Sequence, residues 1–148
     1  MITLWRLTTR ARREKAFDGE GAKKYGGRWN PKGTSCIYTS ASTSLALLEN
    51  LAHFSLDTAP NLYLYSIVIE DNLISPPPVL PNDWQDDLIL SQEIGRRWCD
   101  QALSLVLPVP SSIVPSEMNY LLNPLHRKMA NITIVEHGLF DVDGRLLR

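Results

Sequence analysis

Short runs rich in β-branched and aromatic residues recur along the whole chain, with two or three stretches of helical character between them, and that distribution admits few folds. Residues 2–8, ITLWRLT, alternate apolar and polar side chains and predict a first strand carrying Trp5 and Arg6 on opposite faces. Residues 35–40 (SCIYTS) predict a second strand and 61–69 (NLYLYSIVI) a long third. A fourth is expected at 104–109, and 132–135 with a short terminal piece at 139–146 completes the set. Residues 42–54, STSLALLENLAHF, predict the best helix, capped by Ser42 or Ser44, and 92–103 predicts another. Strands interleaved with so few helices indicate a mixed α/β or α+β fold, a single compact domain over residues 1–148. The one break, ISPPPVLPND at 74–83, has four prolines, which forbid a helix interior or a central strand. It is too short to divide domains and predicts a surface crossover.

Composition sharpens this. A chain of 148 residues with 44% hydrophobic and 21% charged residues is an ordinary globule, and 8 Gly and 10 Pro exclude a collagenous or low-complexity chain. No apolar leader and no run approaching the roughly 20 apolar residues of a membrane span is visible. Cys36 and Cys99 lie far apart without a CxxC, so the expectation is a reduced, cytoplasmic protein. Charge is unevenly placed: residues 1–32 carry nine basic and three acidic side chains, a net +6, and the remainder is −7. The basic segment predicts a site for an anion.

Several residues stand out chemically. Ser42, Ala46, Glu49 and His53 fall on one strip of a helix that is apolar over most of its circumference. A carboxylate on a buried helix requires a partner, so Glu49 is expected to face a cleft. Arg28 sits in GGRWN, between Gly26-Gly27 and Gly33, which predicts a short extended piece between turns. Its guanidinium fork suits phosphate. Tyr38 is either a core tyrosine or the wall of an aromatic slot. Ser111, among the prolines of LPVPSSIVP, either caps a turn or presents its hydroxyl at a strand end. Asn119, Asn123 and His126 follow in NYLLNPLH, where Asn-Pro marks a turn. No GxGxxG, GxxxxGK[ST], HExxH or GxSxG occurs, and the three histidines are too dispersed to predict a metal site.

In order, WR (5–6), GGRWN…G (26–33), IYTS (37–40), LALLE (45–49), VPSS (109–112), NYLLNPLH (119–126) and a closing DVDGRLL resemble the RES-domain family, toxins of bacterial type II toxin–antitoxin modules. The resemblance runs over nearly the whole chain. It implies a fold related to ADP-ribosyltransferases, two small packed sheets with surrounding helices, and a cleft that takes NAD+. It implies cleavage of the nicotinamide–ribose bond by hydrolysis or phosphorolysis, with ADP-ribosylation of a protein as the alternative. The expected partners are a cognate Xre-type helix-turn-helix antitoxin and a second toxin copy within the toxin–antitoxin complex. No cofactor beyond NAD+ as substrate, no metal and no membrane is implied. Carried over by motif, the family arginines fall on Arg6 and Arg28, its tyrosine on Tyr38, its glutamate on Glu49, and its serine on Ser111 or Ser112. A second family aromatic corresponds to Phe17 or Tyr25.

The implied roles follow from the chemistry. Nicotinamide leaves as a neutral ring, and the barrier lies in positive charge developing on the ribose. Glu49 would stabilise that charge, Arg6 and Arg28 would grip the pyrophosphate, Tyr38 would pack against the nicotinamide end, and Ser111 and Asn119 would complete the NAD+ site. A nucleic-acid-binding or RNA-cleaving toxin is the rival from another class. Its weakness is that the basic residues lack interleaved aromatics and the remainder of the chain is acidic.

Overall fold

The computed structural model describes residues 1–53 and 61–147. Among these residues six strands, β1 (Ile2–Thr8), β2 (Ile37–Ser40), β3 (Leu62–Ile69), β4 (Val106–Pro110), β5 (Met118–Leu122) and β6 (Thr133–Phe140), join in the order β4-β5-β2-β1-β3-β6. All neighbours are antiparallel. Among the described residues four α-helices accompany them: α1 (Arg13–Ala16), α2 (Glu20–Tyr25), α3 (Thr43–Leu51) and α4 (Leu88–Gln101). The mixed α/β class stands, whereas the two packed sheets become one hydrogen-bonded sheet. The reason lies at its centre. β1 pairs with β3 over seven couples, but with β2 only through Trp5↔Ser40, so two three-stranded halves meet at a fork.

The strand expectations at 2–8 and 61–69 match the structure to within a residue. The expected strand at 132–135 runs on to Phe140 as β6, bulged where Gly138 takes φ +81° at a shift of register between Leu64 and Tyr65. The terminal piece expected at 139–146 contributes only Leu139 and Phe140, and its end, Gly144–Leu147, is a 3-10 turn. The expected strand at 104–109 starts two residues late. Helix α4 begins at Leu88, capped by the Asp87 side chain accepting from the Leu90 amide at 3.0 Å, and ends where Ala102 turns left-handed at φ 50°. In α3, Ser42 is the cap, accepting from the Leu45 amide at 3.1 Å. The helix stops at Leu51, with Ala52 as its C-cap, short of the expected end; Phe54 itself lies outside the described residues.

Each half of the sheet is covered. Trp98 of α4 packs with Leu107, Val109, Leu121, Trp29 and Trp84, while Ala46 of α3 packs with Leu7 and Leu62. A third cluster, around Leu4, Ile37, Tyr65, Ile67 and Val106, fills the centre. The proline crossover covers an edge: Ser75 donates its amide to the Val106 carbonyl at 3.0 Å and Ile74 bridges Val106. Among the described residues no helix is long and apolar enough to cross a membrane.

Candidate functional site

The fork between β1 and β2 is filled by a side chain. Arg6 donates from Nη1 to the Tyr38 carbonyl of β2 and from Nε to the Ala16 carbonyl, each at 2.8 Å. Its guanidinium lies 5.8 Å from the Phe17 ring centroid. Burial, which disfavours the cation, pulls its pKa down to about 10. Two cavities open at this fork, one of about 250 Å³ and one of about 1000 Å³. Arg6, Thr8, Tyr38, Glu49, His53 and Asn119 line both.

Glu49 reaches the fork from α3. Its Oε1 accepts from Ser111 Oγ at 2.7 Å and from Asn119 Nδ2 at 2.8 Å. Both donors are fixed in turn. Ser111, fully buried just after β4, accepts the Ile113 and Val114 amides at 3.1 and 3.0 Å, which occupies its lone pairs and leaves its proton for Glu49. Asn119 on β5 accepts from Ser40 Oγ through Oδ1 at 2.7 Å, so its amide nitrogen turns toward Glu49. Among the described residues both bonds land on Oε1 and none on Oε2, which leaves one carboxylate oxygen to act in the cleft. The helix bearing it is less buried than its composition suggests: Leu45 and Ala46 are its buried residues, and Leu48 is 44% exposed.

Arg28 sits in a tight turn rather than an extended piece, because Gly27 and Asn30 bridge each other and close it. Its Nη2 donates to the Trp84 carbonyl at 2.9 Å and its guanidinium carbon lies 5.2 Å from the Trp84 ring centroid. Its Nε is buried without a hydrogen-bond partner among the described residues. Tyr38 supports the same turn. Its hydroxyl donates to Asn30 Oδ1 at 2.5 Å and accepts the Trp29 amide at 3.0 Å, and burial pushes its pKa well above the usual phenol value.

The larger cavity thus gathers Arg6, Arg28, Tyr38, Glu49 and Asn119, and Ser111 meets them through Glu49. Ser112 also lines it but offers its carbonyl to Gln85, so of the two serines Ser111 is the one bonded to the glutamate. Phe17 is buried beneath Arg6, while Tyr25 stands 70% exposed at the cavity wall. Asn123 and His126 are structural: Asn123 donates to the Cys99 carbonyl at 3.1 Å and accepts the Leu125 amide, and His126 accepts the Lys128 amide. Trp84, Arg10 and Lys15 were not singled out individually by sequence, although the basic tally of the first 32 residues anticipated the last two as a group. Trp84 had no local signal; it follows the proline segment and approaches Arg28 only in the fold.

The RES domain model matches residues 3–143. A Yersinia enterocolitica protein named Toxin Res is 38% identical, the match covering 98% of this chain and 99% of the relative. A Sphingobium protein named Prs ADP-ribosylating toxin is 35% identical, with 99% and 97% covered. The crystal structure of the M. tuberculosis MbcT–MbcA toxin–antitoxin complex contains a chain of similar fold, with TM-score 0.70, 22% identity, and 99% of this chain and 86% of that one covered. A match over nearly the whole chain, joined by relatives of 35–38% identity over almost their full length, places this chain in the RES domain family.

Proposed function

We propose that this chain is the toxin of a toxin–antitoxin pair, held by a cognate Xre-type antitoxin, and that its cleft cleaves the nicotinamide–ribose bond of NAD+. The observation that carries this reading is Glu49, fixed by Ser111 and Asn119 through Oε1, on the wall of a cavity that Arg6 and Arg28 also line. An anionic pyrophosphate answers the guanidinium charges of Arg6 and Arg28 on the cavity wall. Nicotinamide departs with the bonding electrons and becomes neutral, leaving the ribose C1′ cationic. Glu49 Oε2 stabilises that charge, an effect on the order of 10²–10³-fold in rate for a preorganised group. Water or inorganic phosphate then bonds to C1′, giving ADP-ribose and a proton, or ADP-ribose 1″-phosphate.

The same site serves a second reading, ADP-ribosylation of a protein, which the name of the Sphingobium relative favours. Incubating the purified protein with NAD+ alone, and with phosphate added, separates them. Many turnovers of nicotinamide release without any protein acceptor support the proposal. Release only when a protein acceptor is supplied supports the transferase.

A further inference from the structure

Helix α4 meets the core chiefly through Trp98, with Ile94 and Cys99 beside it; its other buried residues are Ser91 and Gly95, and Ile89 is 80% exposed. Ser91 and Gly95, with Gln92, meet the turn that carries Arg28. Gln92 Nε2 donates to the Gly27 carbonyl at 2.9 Å and Ser91 Oγ to the Arg28 carbonyl at 2.6 Å. A Cβ at Gly95 would stand 1.6 Å from the Trp29 carbonyl oxygen, so three successive carbonyls rest on one stripe of the helix. From the opposite side Tyr38 takes the Trp29 amide, and a Cβ at Gly27 would fall 2.5 Å from the Tyr38 hydroxyl. The 3-10 turn just before α4, Trp84–Asp86, receives the Arg28 side chain on the Trp84 carbonyl.

We propose that α4 sets the position of Arg28, with Ser91 and Gly95 as positioning residues that act on substrate only through that guanidinium, and Gln92, which also lines the cavity, holding the Gly27 carbonyl of the same turn. The inference rests on the reading of the cleft as an NAD+ site. A helix that merely closed the core would bury leucines along this stripe, as the apolar faces of packed helices do. Here the stretch facing the turn, Ser91, Gln92 and Gly95, is hydroxyl, amide and bare backbone matched to its carbonyls, and only the following turn of the helix, through Trp98, closes the core. Misplacing a group that positions substrate by about 1 Å can cost on the order of 10²-fold in activity, which is what a closely held turn prevents.

Gly95→Ala forces the Trp29 carbonyl away and risks the fold, so the decisive variant is Ser91→Ala with Gln92→Ala. Loss of two neutral hydrogen bonds is expected to raise the KM for NAD+ about 10-fold while kcat stays within about twofold. Introduced into Arg28→Ala, the same pair should change KM less than about twofold, because the group it positions is gone. An equal rise in KM with and without Arg28 overturns the proposal. A second readout is independent of turnover: the ¹⁵N–¹H signal of Arg28 Nε, identified by its loss in Arg28→Ala, should shift in the Ser91/Gln92 variant. An unmoved signal overturns the positioning role. Should the wild type release no nicotinamide, the functional reading fails, and this signal still decides whether α4 holds Arg28.

Discussion

Ser111 shows how much a single side chain's bonding decides. With two amides on its oxygen, its proton has one direction open, and Glu49 Oε1 lies there. Ser111→Ala is therefore expected to leave Glu49 with Asn119 alone and to lower kcat about 10-fold, read by steady-state nicotinamide release. Arg28→Ala removes a ground-state grip instead, and should raise KM more than it lowers kcat. Glu49 itself was legible, because a carboxylate on a leucine-rich helix demands a partner. That partner was not. Asn119 lies in a stretch where asparagine and Asn-Pro suggest a turn, yet its side chain bonds fix it in β5, where asparagine is otherwise disfavoured. For Tyr38 the sequence left two settings open, and the hydroxyl turns out to be spent on the turn of Arg28.

Among the elements, α3 sets the geometry of the glutamate. Ser42→Ala removes its cap and is expected to cost about 1 kcal/mol, measured by urea denaturation. Leu45, 1% exposed, should cost about 2–5 kcal/mol as alanine, whereas Leu48, 44% exposed, should cost under about 1 kcal/mol. Sequence alone could not separate those two leucines, because a nearly all-apolar helix does not announce which side is inward. β1 and β3 were legible because alternation and β-branching agree along their length. Helices α1 and α2 were not, since REKA and EGAKKY are too short and too charged to show an apolar stripe. Their place is set by tertiary contact, as where Ala16 offers its carbonyl to Arg6.

At the scale of the molecule, the two halves of the sheet share an apolar core but are joined along the backbone by one residue couple and by the Arg6 side chain, and the cleft opens at that junction. That division into halves is invisible in any single strand; it depends on how far β2 follows β1. Alkaline pH probes the packed state of the halves. Burial raises the Cys36 thiol, pushes Cys99 up to about 12 and raises Tyr38, so the folded chain holds protons that the unfolded chain releases from about pH 9 upward. Stability should therefore fall as pH rises from 8 to 10, seen in the urea midpoint, and Cys99→Ser should flatten the slope. Arg6, lowered to about 10, acts in the opposite sense only above that pH. The most direct test of the central claim is nicotinamide release from NAD+ by Glu49→Gln, alongside NAD+ binding by calorimetry. Binding within a few-fold of wild type with release reduced at least about 100-fold is the predicted result. Release at the wild-type rate would contradict it.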